Sequence, residues 1–257
     1  MNMNIIIEFI SSFELHTDQW IWVLFCALCI GMAKTGLGGL GMLVVPILAS
    51  IFGPKASTGI LLPMLIMADI YAVVHYHRHA DIKLLIKLAP ATIAGVLIAV
   101  WIGDIVNDNQ FGIIMATLIL IGLVILLWRE SKKITKAIPH NWAFASTAGI
   151  AGGFTTMIGN AAGSIMSIYF LSLNLNKNNF IGTGAWFFLI VNLFKVPFHI
   201  LVWETMDQRT FLFDLLMLPL IMIGAFLGVV LVKLIPEKPY RIFVVVSAAL
   251  AALKLFF

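Results

Sequence analysis

The chain has 257 residues, 61% of them hydrophobic and 11% charged, with a formal net charge of +4. Soluble domains carry about a quarter charged residues, so this composition, with a mean hydropathy of +1.05, excludes a soluble globular protein and points to one embedded in lipid. Nor is the positive balance a nucleic-acid signal: the basic residues cluster at the ends of apolar segments, where positive charge sets membrane topology.

In chain order, residues 1–19 carry no Lys or Arg ahead of their apolar core. They lack the basic start of a signal peptide and are expected to form an uncleaved interfacial segment. Apolar runs follow at 20–52, 56–76, 84–106, 111–128, 142–173, 180–203, 211–235 and 242–257. About 20 residues are needed to cross ~30 Å of hydrocarbon as a helix. Backbone groups in lipid must bond within their own segment, and the runs show no alternation of the barrel-strand kind. The fold class expected is therefore all-α, a polytopic integral membrane protein.

The halves share a plan. At a shift of 122 positions Gly31 meets Gly153, Gly41 meets Gly163, Lys55 meets Lys177 and His77 meets His199; at 129, Pro90 meets Pro219 and Gly95 meets Gly224. Each half opens with an overlong apolar segment interrupted by glycine, TGLGGLG in the first and AGGFTTMIGNAAGS in the second, and continues with three ordinary spans. This predicts a first transmembrane repeat at 20–130, a basic cytoplasmic linker at 131–140 and a second repeat at 141–257. Backbone breaks at membrane depth are tolerated only where they face protein or a watery cavity. If each broken segment is a hairpin, only Lys55, Arg209 and Lys254 oppose eleven basic residues across the membrane; if each crosses once, five oppose nine. The positive-inside rule prefers the hairpins, and hence inverted halves. Eight spans with parallel halves are the competing topology.

Within the first break, Gly36, Gly38 and Gly41 spell G-x-G-x-x-G. A dinucleotide site needs a preceding strand and an acid about 20 positions on, and no Asp or Glu occurs between Asp18 and Asp69. Cofactor binding is therefore excluded, and no other cofactor is implied. Two readings of the glycines remain: close helix packing, or a bent backbone whose N–H groups meet an anion.

The charges favour the anion. Lys34 and Lys195 lie in acid-free apolar stretches, where an ionisable group costs about 3 kcal/mol or more and is a functional candidate. Asn192, Lys195 and His199 share one helical face. The competing reading is that Lys195 snorkels to an interface and His199 caps the segment. Asn160 sits at the presumed tip of the second break, among Thr155, Thr156 and Ser164, and Thr183 opens the next span; hydroxyl and amide donors suit an oxyanion, although several could satisfy the broken backbone instead. The candidate substrate ligands are Lys34, Gly36, Gly38, Gly39, Gly41, Gly159, Asn160, Gly163, Thr183, Asn192 and Lys195. The candidate proton carriers are Asp69, His77 and His199. The alternating His75, His77, His79 and Asp81 would converge on a metal in a strand but spread around a helix, so no metal site is assigned and an interfacial polar cluster is expected. Glu204 and Asp214 are expected at an interface too. Cys26 and Cys29 share a helical face without a second ligand pair, and read as small buried residues. No nucleophile with its base is present, which argues against an enzyme.

GLGGLGMLVVPIL in the first half, with GNAAGSIMSIYFL and FIGTGAWFFLIVNLFKVPFHI in the second, resembles the TauE/SafE sulfite exporter family, also grouped with toluene-sulfonate uptake permeases. The likeness runs from about Trp20 to Phe257; Leu40 interrupts the family's usual run of three glycines. The resemblance implies transport of sulfite, a sulfonate or a related sulfur-containing anion across the cytoplasmic membrane. The expected partners are a small oxyanion and the bilayer, with no nucleic acid, and a homo-oligomer is left open. An anion channel, and a membrane metal or redox protein built on the cysteines and histidines, are the alternatives.

Overall fold

The computed structural model describes residues 12–35, 37, 39–76, 80–131, 142–173, 175, 177–231 and 237–256. Among these are ten α-helices, a closing 3-10 turn at Lys254–Phe256 and no strand. The first five helices are α1 (Thr17–Thr35), α2 (Leu40–Phe52), α3 (Pro54–Tyr76), α4 (Ile82–Ile105) and α5 (Asp108–Ser131). The second five are α6 (Trp142–Gly159), α7 (Ala162–Ser172), α8 (Lys177–Leu201), α9 (Gln208–Leu231) and α10 (Glu237–Leu253). Five of them, α3, α4, α5, α8 and α9, contain stretches long and apolar enough to cross a membrane. Their outer faces carry large exposed apolar side chains, such as Ile86, Trp101 and Ile105 on α4, Val124 on α5 and Phe226 on α9. In water such faces would be interaction sites or liabilities; around a polytopic bundle they meet lipid. The chain is a multi-pass, all-helical membrane protein.

Both overlong runs break where the glycine and small-polar patterns placed the interruption. Run 20–52 divides between α1 and α2, with Gly39 at φ 100° immediately before α2. Run 142–173 divides between α6 and α7, with Asn160 at φ 47°. Left-handed backbone is open to glycine and, among other residues, most readily to asparagine, so each break uses a residue that tolerates it. The freed backbone is partly satisfied locally: Leu37 N–H donates to the Met32 carbonyl (3.0 Å), Asn160 N–H to that of Thr156 (3.2 Å) and Ala161 N–H to that of Thr155 (3.2 Å). Three helices follow each break, α3 to α5 and α8 to α10.

Glycines at matching positions make matching contacts. A methyl at Gly31 on α1 would collide with the Ile221 carbonyl on α9, and one at Gly153 on α6 with the Thr92 carbonyl on α4. Conversely, Gly224 on α9 fits against Leu28, and Gly95 on α4 against Ile150. Gly153 follows Gly31 by 122 positions and Ile150 follows Leu28 by the same number; Ile221 follows Thr92 by 129, as Gly224 follows Gly95. Thus α1 lies on α9 as α6 lies on α4, with backbones close enough that only glycine fits.

Side-chain caps fix several helix starts. Asn107 Oδ1 accepts from Gln110 N–H (2.9 Å) while Gln110 Oε1 accepts from Asn107 N–H (3.1 Å), a reciprocal capping box at α5. Asp207 and Thr210 form the same arrangement at α9, with bonds of 2.7 and 2.8 Å, and Asp81 accepts from Leu84 N–H (3.1 Å) at α4. Beyond α8 the chain folds Trp203 into the bundle. Its Nε1 donates to the Val100 carbonyl (3.1 Å), and its ring meets Phe111 and His199 edge-on, at 5.3 and 5.1 Å between centroids.

One expectation is overturned here. Asp214, expected at an interface, is fully buried. It falls on the stripe of α9 made by Phe213, Met217, Ile221, Gly224 and Gly228, which the glycine contacts turn toward α1. Glu204, by contrast, is exposed in the loop between α8 and α9.

A buried charge cluster between two broken helices

Lys34 lies in the last turn of α1, immediately before the first break. Its Nζ forms an ion pair with Asp69 Oδ1 at 2.6 Å, and stands 4.6 Å from the Phe188 ring centroid on α8. Asp69 is fully buried in α3, and its other oxygen accepts from Asn192 Nδ2 on α8 at 2.7 Å. One turn further along α8, Lys195 Nζ donates to Asn160 Oδ1 (2.7 Å), to the Thr156 carbonyl (2.9 Å) and to Thr156 Oγ1 (3.4 Å). The cluster thus ties the ends of α1 and α6 to α3 and α8. It brings two lysines and one aspartate into a single network.

Lys34 is thus paired with an acid, whereas among the described residues Lys195 bonds only uncharged groups, Asn160 and Thr156. The stretch around Lys34 is acid-free only along the chain; folding brings Asp69 to it from α3. Lys195 does not snorkel to an interface, being fully buried. It instead caps the carboxyl end of α6, where a cation is favoured by the helix dipole. Asp69, named from the sequence as a candidate proton carrier, lies at the centre of the network, and Asn192 serves the carboxylate.

Several polar atoms in and beside the network have no hydrogen-bond partner among the described residues: Asn160 Nδ2, Asn192 Oδ1 and His199 Nε2. Orphaned buried polar groups cost of order 1–3 kcal/mol each, so three near one cluster call for an explanation. His199 lies one turn beyond Lys195, fully buried, its Nδ1 hydrogen-bonded to Thr205 Oγ1 at 2.8 Å.

The break glycines divide into two kinds. A methyl at Gly159 would rest 3.5 Å from Met115, an ordinary packing contact. Gly41 and Gly163, each the second residue of the helix after a break and 122 positions apart, would meet nothing within 4 Å. They face open space at the amino ends of α2 and α7, where unpaired N–H groups gather. The side chains of Met42 on α2 and Ser164 on α7 both reach Gly122 of α5, each 3.3 Å from where its Cβ would stand, so the second halves of both broken segments pack on the same helix. Gly39 supplies the turn into α2.

Other candidates fall elsewhere. Thr183 is buried on α8, more than three turns before Lys195, and accepts from Asp81 N–H at 2.9 Å. Thr155 and Ser164 bond backbone carbonyls of their own segment. Gly36, Gly38 and His77 lie outside the described residues. The Lys34–Asp69 pair is what sequence reasoning missed; the available signal was that Asp69 is the one acid in run 56–76, beside a neighbouring run carrying a lone lysine.

The fold and the site define a multi-pass membrane protein in which two interrupted helices are tied together by a buried polar cluster. The sequence model of the sulfite exporter TauE/SafE family, a family of membrane transporters, matches residues 23–255. The match spans nearly the whole chain, and the chain belongs to that family. No significant match was found among curated proteins or among solved structures.

Proposed function

We propose that the protein is a secondary transporter that carries a small sulfur-containing oxyanion, sulfite or an organosulfonate, across the cytoplasmic membrane by alternating access. The observation that carries this reading is the buried cluster of Lys34, Asp69, Asn192 and Lys195 that ties the ends of α1 and α6 together through α3 and α8, with Gly41 and Gly163 facing open space just past the two breaks. In this reading Lys195 and Lys34 supply charge, Asn160 Nδ2 donates a hydrogen bond that no group among the described residues takes up, and the amino ends of α2 and α7 offer backbone N–H groups. Asn192 orients the cluster, while His199 stands beside Lys195 as a proton acceptor. Broken helices whose half-helix ends point at an anion are a recurrent device of secondary transporters.

The test is transport of labelled sulfite and of methanesulfonate into proteoliposomes. Saturable uptake, and exchange with the same anion trapped inside, are expected. Non-saturating current would mark a channel and sink the proposal, as would normal rates in the Lys195→Ala protein.

A further inference from the structure

The ion pair at the centre of the cluster is asymmetric. Asp69 is wholly buried, whereas the Lys34 side chain is 18% exposed. A ligand entering beside the first break can therefore reach Lys34 but not Asp69. In this structure the position opposite the Lys34 ammonium is filled, at 2.6 Å, by a carboxylate. A carboxylate and a sulfur oxyanion make the same kind of charge-assisted bond to an ammonium group, so the two compete for it.

Asn192 supplies the second observation. Its Nδ2 donates to Asp69 Oδ2 at 2.7 Å, while its own Oδ1 is buried without a partner among the described residues. That arrangement suits a carboxylate, which only accepts. A carboxylic acid needs an acceptor for its O–H, and half a turn of the Asn192 amide would present Oδ1 to it. The pair Asp69 and Asn192 thus has a hydrogen-bonding partner ready for either protonation state.

The surroundings leave Asp69 as the group on which this turns. Of the titratable groups on helices packed against α3, Lys34 on α1 pairs with it directly, and Lys195 on α8 stands one turn beyond its partner Asn192. Helices α2 and α6 carry none. On α5, Asp108 Oδ1 accepts from the Lys55 amide at the opposite end of α3. Arg209 and Asp214 belong to the first turns of α9, His199 lies one turn beyond Lys195, and Asp18, Cys26 and Cys29 precede Lys34 on α1 by a turn or more. Tyr71 and His75 follow Asp69 on α3.

We infer that Asp69 is a built-in counter-ion standing in the anion's place on Lys34, and that its protonation frees Lys34 for the oxyanion, so that each anion moves with one proton. The inference rests on the transporter reading above. The step is a proton transfer: as the Lys34–Asp69 ion pair opens toward water on one side, the carboxylate takes a proton from that water, the ammonium pairs with the oxyanion, and proton and anion are released together on the other side. Loading a proton with a monoanion leaves the buried charge of the cluster unchanged. Charge is what the bilayer penalises.

Two measurements decide it, with methanesulfonate and sulfite as probes. The charge of methanesulfonate does not change between about pH 5 and about pH 8, so that any pH dependence belongs to the protein. In weakly buffered detergent solution, binding is expected to take up about one proton per anion, with apparent affinity falling up to about tenfold per pH unit as pH rises. In proteoliposomes an imposed pH gradient is expected to drive accumulation by the wild-type protein. The isosteric Asp69→Asn protein should exchange anion with anion but not accumulate it, and its affinity should not vary with pH. Binding without proton uptake, or gradient-driven accumulation by Asp69→Asn equal to wild type, overturns the inference while leaving the transporter reading intact. If Asp69→Asn fails to fold, the wild-type proton count alone decides. If neither anion binds or exchanges in the wild type, the transporter reading falls first and this inference with it.

Discussion

Lys195 on α8 donates to Asn160 Oδ1 at 2.7 Å, joining two residues 35 positions apart across the break between α6 and α7. The same ammonium caps the Thr156 carbonyl at 2.9 Å. One side chain therefore holds the shape of the second break and supplies its positive charge. Removing it alters both, and the choice of replacement separates the two roles.

Lys195→Met keeps the length of the side chain and removes charge and donors. Hydrogen bonds to charged groups contribute about 1.5–3 kcal/mol, so anion affinity in a thermal-shift titration is expected to fall by about ten- to a hundredfold. Lys195→Arg, which keeps the charge but needs more room, should retain part of the binding. Equal losses in both proteins would show that shape rather than charge decides.

The glycines predict opposite outcomes for one substitution. Gly31→Ala and Gly153→Ala place a methyl against a backbone carbonyl, and overpacking of this kind costs about 1–3 kcal/mol. Gly41→Ala and Gly163→Ala meet open space, and alanine is the better helix former by about 1 kcal/mol. The first pair should lower the unfolding temperature in detergent; the second should keep or raise it while weakening anion binding. Similar destabilisation at all four positions would contradict the packing described.

Asp214 is buried with neither carboxylate oxygen bonded among the described residues. Replacing an unpaired buried polar group by an apolar one of similar size is often neutral or stabilising. Asp214→Leu is expected to match or exceed the wild-type unfolding temperature. A fall of many degrees would mean that the carboxylate has a partner in the working protein.

Asp207 lies outside the membrane segments, and the Thr210 amide that bonds its carboxylate holds that group below the usual carboxylate range. A group whose folded-state pKa is depressed contributes stability above its unfolded value, about 3.9, and loses it as pH falls. Amide exchange at the start of α9, corrected for intrinsic rates, should therefore quicken below about pH 4. Asp207→Ala should show the faster exchange at neutral pH and lose the pH step.

How much of this was legible beforehand differs between backbone and cluster. Gly39 and Asn160 mark the breaks because left-handed backbone is scarce and few residues tolerate it. Gly31, Gly95, Gly153 and Gly224 were visible as a repeating pattern, and their contacts are the reason for it. Asn192, Lys195 and His199 were placed on one face by helical periodicity alone. The ion pair was not legible in this way: Lys34 and Asp69 are far apart in sequence, and their separation bears no relation to either helical period. Asp214 was misplaced for a related reason, since nearness to a segment end says nothing about which face of the helix is covered.

Run length and composition were enough for an all-helical membrane protein with two interrupted segments, because the bilayer leaves the backbone few ways to satisfy its hydrogen bonds. Motif residues were enough for the family. Which charges are neutralised, and by what, was settled only by the packing of α1, α3, α6 and α8 against one another. Electrostatic pairing depends on distance in space, and a sequence records only distance along the chain.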